Sequence, residues 1–500
     1  MRSKYIRFTL KWIPFIALLA TPLLAIAQGQ TELEGDVEAS SLQAKTVDLD
    51  QVVQVALANN SQLKAAFFSL LSAEEDVDVA WSSVMPSVNS SINYTRNVEI
   101  PVTFIPETFF DPQNGDPNVL VPAEFGTDND WRGGISVSQN IFRGEAFVGI
   151  SSAEMFRLLQ REQLRATAEE VITQARQAYY GVLMAKERYR VQKATIERIE
   201  ANLEENRARQ KAGLLDDYDV LRLEVQLSNQ RPQLKQAEFA INQAFRNLKM
   251  VMGLPATFNF EISGQLRSFD IRANSAGMGA NEGIKEVDTM TPLVLEQEKE
   301  LLEKNFENRG DLRVLQARTG LKDREIMAIK SRYLPTVTAS YNLSWTASEA
   351  GTPNFFEDNV RFQTIGVNVN LPLFEGFERN ANLQKAQIQK KELREQKEQL
   401  ERQALNEIDA ALESIRLAYE TEQARLKALE QAERGYNIAR ARLEKGVGSQ
   451  LDVTNAEVQL RQAELNYAQM VHDYLNAKAS YDQAIGKVPF ISNYQNFLTN

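Results

Sequence analysis

The sequence predicts a mostly α-helical chain with a transmembrane β part, in which one structural unit occurs twice and supplies four β-strands per chain. Three observations carry this reading. The stretch that starts at Arg207, RARQKAGLLDDYDVLRLEVQL, returns without a gap from Arg440 as RARLEKGVGSQLDVTNAEVQL, and in step with it Gly253 meets Gly486. Self-similarity of this size marks a duplicated architecture. Four segments alternate polar and apolar residues with period two, as half-buried strands do. Two long runs, about Gly144 to Lys211 and about Gly376 to Lys445, carry narrow apolar stripes on otherwise charged surfaces, the pattern of long coiled-coil helices.

The elements follow in chain order. Arg2, Lys4, Arg7 and Lys11 precede the apolar run WIPFIALLATPLLAIA, and Ala25-Ile26-Ala27 fits a small-x-small cleavage pattern. Residues 1–27 therefore read as an export signal cut between Ala27 and Gln28; the apolar run is short for a spanning helix. Residues 28–45 form an N-terminal tail. Repeat one, residues 46–270, has the order helix, strand, loop, strand, very long helix, glycine break, helix. A Gly-, Ser- and Asn-bearing linker, residues 271–292, leads into repeat two, residues 293–490, with the same order; residues 491–500 are a tail. The first helices run from about Leu49 to Ser83 and from about Val294 to Arg332. Pro86 and Pro335 stop them and begin extended chain.

In TVTASYNLSW, Val337, Ala339, Tyr341, Leu343 and Trp345 share one face; in TIGVNVNLPL, Ile365, Val367, Val369, Leu371 and Leu373 do. In repeat one, GGISVSQNIF sets Ile135, Val137 and Ile141 against Ser136, Ser138 and Asn140, and SVNSSINYT places Val88, Ile92 and Tyr94 together. Segments of about ten alternating residues match transmembrane barrel strands. The opposite faces hold Ser, Thr and Asn rather than Lys and Glu, which suits a wet lumen. Between the first two strands, residues 99–130 form a long Pro-rich segment with Phe104, Phe109, Phe110 and Phe125, expected as an external loop. Each long helix spans roughly 100 Å at 1.5 Å per residue. Leu164, Ala168, Val171, Ala175, Tyr179 and Val182 make one seam; Ile408, Leu412, Ile415, Tyr419, Leu426, Leu429 and Tyr436 make the other. Pro232 predicts a kink in the helix after the first glycine break, and TFNFEISG reads as a short β piece beside the rods.

The chain has 500 residues and a formal charge of −11, which argues against a nucleic-acid partner. With no cysteine and His472 as the only histidine, disulfides, thiol catalysis and Cys/His zinc sites are excluded. No acid–base pair stands beside a plausible nucleophile, so no catalytic residue, cofactor or metal is expected. The absence of cysteine also excludes a lipid-anchored N-terminus.

Four strands cannot close a barrel, because membrane barrels begin at about eight strands and an open edge in lipid leaves backbone groups unpaired. The chain must associate. Two copies would fill their interior with side chains; three could leave a lumen. A structural coiled-coil protein of the envelope with a soluble β domain would show the same alternation, and the Ser/Asn-rich strand faces are what discriminate against it.

The duplicated Gly-x5-Asp-Val breaks, the helix ends SVMP and RYLP, and SVSQNIFRG and VNVNLPLFEG leading into long helices together resemble the TolC-like outer-membrane efflux protein family, from about residue 46 to 490. The resemblance implies a homotrimer with a twelve-stranded outer-membrane barrel set in lipid and a long periplasmic coiled-coil α-barrel. It also implies docking to a periplasmic adaptor (membrane fusion) protein and an inner-membrane transporter of the drug-pump type. The implied function is a passive exit duct for small compounds, with type I protein secretion as the alternative cargo class. On this reading KAGLLDD and KGVGSQ, with Gly213, Leu214, Gly446 and Val447, are periplasmic tip turns. Gly213 and Gly446 suit a C′ position with positive φ, and Asp216 or Asp217, and Ser449, are candidate caps of the returning helices. The resemblance places Asp452 on the inward-facing side of the constriction and Asp219 in tip contacts. Asn455 stands where some family members carry a further acid, one turn after Asp452.

Overall fold

The computed structural model describes residues 46–213, 215–269, 271, 308–351 and 359–489. The signal-cleavage residues Ala27 and Gln28, Leu214, linker residues 272–292 and both tails lie outside them. Among the described residues no helix is long and apolar enough to cross a membrane. The chain forms two compact units, and each draws on both repeats: Ser69–Gln160 with Leu315–Gln396, and Met1–Phe68 with Arg161–Val314 and Lys397–Asn500.

The first of these holds the sheet. In chain order the elements named here are β1 (Thr46–Val47), α1 (Leu49–Asn59), α2 (Ser61–Ser82), β2 (Ser87–Arg96), β3 (Val102–Pro106), β4 (Leu120–Glu124), β5 (Asn129–Phe142) and α3 (Gly144–Lys211). They continue as α4 (Asp217–Val251), β6 (Glu261–Ile262), α5 (Gly310–Ser331), β7 (Thr336–Glu349), β8 (Asn359–Asn370), α6 (Glu378–Glu444) and α7 (Gln450–Ala484). The long strands pair antiparallel in the order β2-β5-β7-β8. The register sets Val88 beside Val137, Val137 beside Tyr341, and Tyr341 beside Ile365, so one face is an apolar band across all four strands. The other carries rows such as Asn89–Ser136–Asn342–Thr364. This is the facial separation expected from the sequence. β2 and β8 are left as open edges.

Three departures have local causes. The ladder slips between Asn140 and Phe142, so Ile141 is bulged and Phe142, opposite Val337, joins the apolar face. The segment expected as an external loop contains the β3–β4 hairpin. Where one first helix was expected, α1 and α2 meet at Asn60, whose side chain accepts from the amides of Gln62 (2.9 Å) and Leu63 (3.1 Å) and donates to the Val251 carbonyl (2.8 Å). Of the matching helix in repeat two, α5 begins at Gly310, and its expected start near Val294 lies outside the described residues.

At the foot of β8 the chain turns sharply into α6. Phe377 takes a positive φ of 65°, beside Gly376 at 56°. Arg379 holds the corner: it donates to the carbonyls of Arg332 (3.2 Å) and Pro372 (3.1 Å), and its guanidinium stacks 4.5 Å above the Tyr333 ring.

The other unit contains the greater part of the helical rods. The α3 seam is buried at all six expected positions. In α6, Ile408, Leu412, Ile415 and Tyr436 are buried, whereas Leu426 is 39% exposed and lies off the seam. Helix α4 is continuous through Pro232, with no break in its assignment at the expected kink. Two equivalent cores join the helix pairs. Ile196, Ile199 and Leu203 of α3 pack on Val220, Leu223 and Leu227 of α4; Tyr436 and Leu443 of α6 pack on Val453 and Leu460 of α7. The β-like piece becomes β6, paired in parallel with β1.

Candidate tip and gate of the helical rods

Each rod turns back at a glycine. Gly213 and Gly446 have φ of 70° and 72°, the left-handed conformation expected of a C′ residue, and their amides close the last turns on the carbonyls of Gln210 (2.9 Å) and Leu443 (3.0 Å). Helix α4 is capped by Asp216, which accepts from the Tyr218 amide. Helix α7 starts with a capping box: the Ser449 hydroxyl accepts from the Asp452 amide (3.1 Å), and the Asp452 carboxylate accepts from the Ser449 amide (3.1 Å) and hydroxyl (2.7 Å). Both expected caps are present. Asp219 lies in the first turn of α4, and Val447 is exposed.

The two turns are tied together. Arg209 donates to the Leu443 carbonyl (2.7 Å), and Asn206 to the Gln450 side chain (2.6 Å). Beside the first turn lies a groove of about 820 Å³, lined by Arg207, Gln210, Lys211, Asp217, Tyr218, Val220, Leu221 and Glu224. Tyr218 (66% exposed) and Leu221 (57%) supply its apolar surface. Asp452 is exposed, and the Ser449 hydroxyl, then the Ser449 amide, hold its carboxyl below the usual carboxylate range.

Above the turns the rods contain a polar layer that apolar periodicity did not reveal. Val453, Glu457, Leu460, Glu464, Tyr467, Val471, Tyr474, Lys478 and Tyr481 follow each other by fours and threes along α7, and all are buried. The charged residues occupy one heptad position, 457, 464 and 478, in line with Val471. That spacing is the signal that could have found them. Arg198 of α3 lies between Glu457 (3.9 Å) and Glu464 (3.7 Å), while Gln226 of α4 donates to Glu457 (3.1 Å). Burial raises the Glu457 carboxyl despite the charges of Arg198 and Arg461. Higher up, Arg176, fully buried, donates to Asp482 (2.8 Å), which also accepts from Lys478. Burial raises Asp482 in turn, against those two cations. Among the described residues no group of side chains could hold a metal ion.

The family model described as outer membrane efflux protein matches residues 52–254 and 301–487. A 190-residue stretch is 30% identical to the outer membrane efflux protein BepC of Brucella suis, covering 38% of this chain and 40% of that protein. The outer membrane protein TolC of Salmonella enteritidis is 22% identical over 455 residues, 88% of this chain and 82% of the relative. In fold, the chain is similar to the CmeC outer membrane channel of Campylobacter jejuni, with a TM-score of 0.65 at 20% identity, covering 90% of this chain and 88% of that one. Both halves of the duplication are thus matched, with glycine-broken rods and an open sheet of four long strands between them: the chain belongs to the outer membrane efflux protein family.

Proposed function

We propose that this protein is the outer-membrane exit duct of a tripartite export system that passes small compounds. Three copies close their sheets into a twelve-stranded barrel in lipid, and their rods continue the duct into the periplasm. The carrying observation is the open four-stranded sheet, apolar on one face and Ser/Thr/Asn-rich on the other, with unpaired edges β2 and β8. Lipid does not tolerate such edges, and pairing β8 of one copy with β2 of the next removes them. The duct itself does no chemistry; a partner in the inner membrane supplies the energy.

The tip turns at Gly213, Leu214, Gly446 and Val447 form the docking surface for a periplasmic adaptor, and the groove with exposed Tyr218 and Leu221 supports this reading. Asp452 and Asp219 are the gate and tip acids. Three Asp452 carboxylates around one axis repel each other and attract cations. The capping box and the gate role are compatible, since the hydrogen bonds from Ser449 favour the charged form of the carboxylate. In single-channel recordings, Asp452→Ala should weaken cation preference and cation block while leaving the trimer intact. Unchanged selectivity in an assembled variant would reject the gate.

Deleting the chain tests the cargo. Cells should retain a small amphipathic dye and recover its export when the chain is restored. Unchanged dye export together with loss of a secreted polypeptide would overturn the small-compound reading.

A further inference from the structure

The sheet has a feature that neither the tip nor the apolar face explains. Asn93, Arg132, Thr346 and Val360 form one row across the four strands, on the same face as the Asn89–Ser136–Asn342–Thr364 row. On that face the paired rows from Ser87 up to Asn93 are built from Ser, Thr, Asn and Gly with Val360 and Phe362, and Arg132 is their only ionised side chain. Arg96 and Arg361 fall on the opposite, apolar face. Arg132 is exposed, and among the described residues no carboxylate stands within ion-pair distance of it, although its charge is felt by Asp130 one row further out. One row further out stands Asp130, its carboxylate engaged by the Ser348 hydroxyl (2.8 Å), the Thr127 hydroxyl (3.1 Å) and the Asn97 amide (3.0 Å). This end of the sheet is the one away from the departing long helices, because β5 runs from Asn129 here to Phe142 beside α3.

We infer that Arg132 is a specificity-determining residue of the duct: repeated in three copies, it forms a cationic ring just inside the outer mouth, at the head of a stretch of barrel lumen whose rows carry no other charge, favouring anionic over cationic solutes there. This rests on the trimeric-duct reading above. A charge in a water-filled lumen acts at a distance of about one Debye length, about 8–10 Å at moderate salt, so the ring governs the adjoining rows. Deeper in the lumen the Arg132 side chains lie closer than the engaged Asp130 carboxylates, so the positive sign prevails below the rim.

Because the chain has no cysteine, Ser344→Cys places a single reporter thiol one row deeper, opposite Gly134. Its reaction rates with the anionic sulfonatoethyl and the cationic trimethylammonioethyl methanethiosulfonates are compared in the assembled protein. Both reagents meet the same thiolate, so the rate ratio cancels any change in its ionisation and reports local potential. At low ionic strength, adding Arg132→Gln should lower the anionic-to-cationic ratio by about three- to tenfold. Arg132→Lys should keep it, and 1 M salt should abolish the difference. An unchanged ratio in Arg132→Gln, or an Arg132→Lys variant behaving as Arg132→Gln, overturns the inference while leaving the duct standing. If neither reagent reaches the thiol at position 344, the duct reading itself falls. Should Arg132→Gln fail to assemble, the salt dependence of the ratio in the Ser344→Cys protein decides: a collapse in 1 M salt supports the ring, and constancy refutes it.

Discussion

Four glycines end helices at equivalent places in the two repeats, and alanine substitution should separate them into two classes. Gly213, Gly446, Gly253 and Gly486 all have φ near 70°. An alanine in this conformation costs roughly 1–2 kcal/mol, partly offset by reduced freedom of the unfolded chain. At Gly213 and Gly446 nothing lies within 4 Å of an added Cβ, so the cost ends there. At Gly253 the Cβ would stand 2.2 Å from the Asn59 carbonyl oxygen and 2.5 Å from its carbon; at Gly486 it would stand 2.6 Å from the Asn308 carbonyl carbon. Backbone must move in both cases. At Gly253 that movement strains the bond from Asn60 to the Val251 carbonyl, and at Gly486 the one from Arg309 to the Ala484 carbonyl. A buried group left unsatisfied costs about 1–3 kcal/mol. The total for Gly253→Ala and Gly486→Ala is then about 2–5 kcal/mol, against about 1 kcal/mol for Gly213→Ala and Gly446→Ala. Native-state hydrogen exchange resolves this locally. Amides at the α1–α2 junction and the end of α4 should exchange about thirtyfold to several thousandfold faster in Gly253→Ala, whereas Gly213→Ala should accelerate only the turn at the end of α3, by about tenfold or less. Equal effects of Gly213→Ala and Gly253→Ala would refute the close-approach argument.

Two further outcomes follow from the sheet and the polar layer. Val369→Arg should reduce the membrane-assembled fraction far more than Asn368→Arg, because Val369 lies on the apolar face opposite Val337 and Asn368 on the polar face opposite Thr338; a lipid-facing arginine costs about 2–4 kcal/mol near the midplane, and equal losses would show that the faces are reversed. Burial raises Glu457, so the folded protein holds that proton more tightly than the unfolded chain; the stabilisation is complete below the usual Glu range and lost as pH rises through the raised value. Glu457→Gln, with Arg198 still beside Glu464, should raise the midpoint of thermal unfolding at pH 8 and converge with the parent at low pH; a variant less stable at pH 8 would contradict this.

Much of this molecule is legible because it is punctuated. Proline ends α2 and α5, glycine ends both rods, and period-two segments mark the strand faces. What escaped depends on side-chain detail. The α1–α2 break has neither proline nor glycine; it is made by the Asn60 side chain, which caps one helix while bonding Val251, a residue distant in sequence. The bulge at Ile141 hides in an alternation that reads smoothly through it, since only the β7 partner shows the slip. Pro106 and Pro122 concealed the β3–β4 hairpin, being tolerated there because the pair stands apart from the main sheet. Along the rods apolar periodicity takes in the exposed Leu426 and passes over the buried Glu457, Glu464 and Lys478, whose partners come from α3, from α4 and from within α7. The turns of the rods were half legible: the glycines and caps follow from local chemistry, but the ties from Arg209 and Asn206 between the turns belong to the tertiary structure.

The central claim is that an open four-stranded sheet becomes a closed barrel only when three chains meet. The most direct test is the mass of the purified protein in mild detergent, with the bound detergent subtracted. Three chains per particle, lost from solution when the detergent is withdrawn, is the predicted result; a monomer that stays dispersed in water without detergent would contradict it.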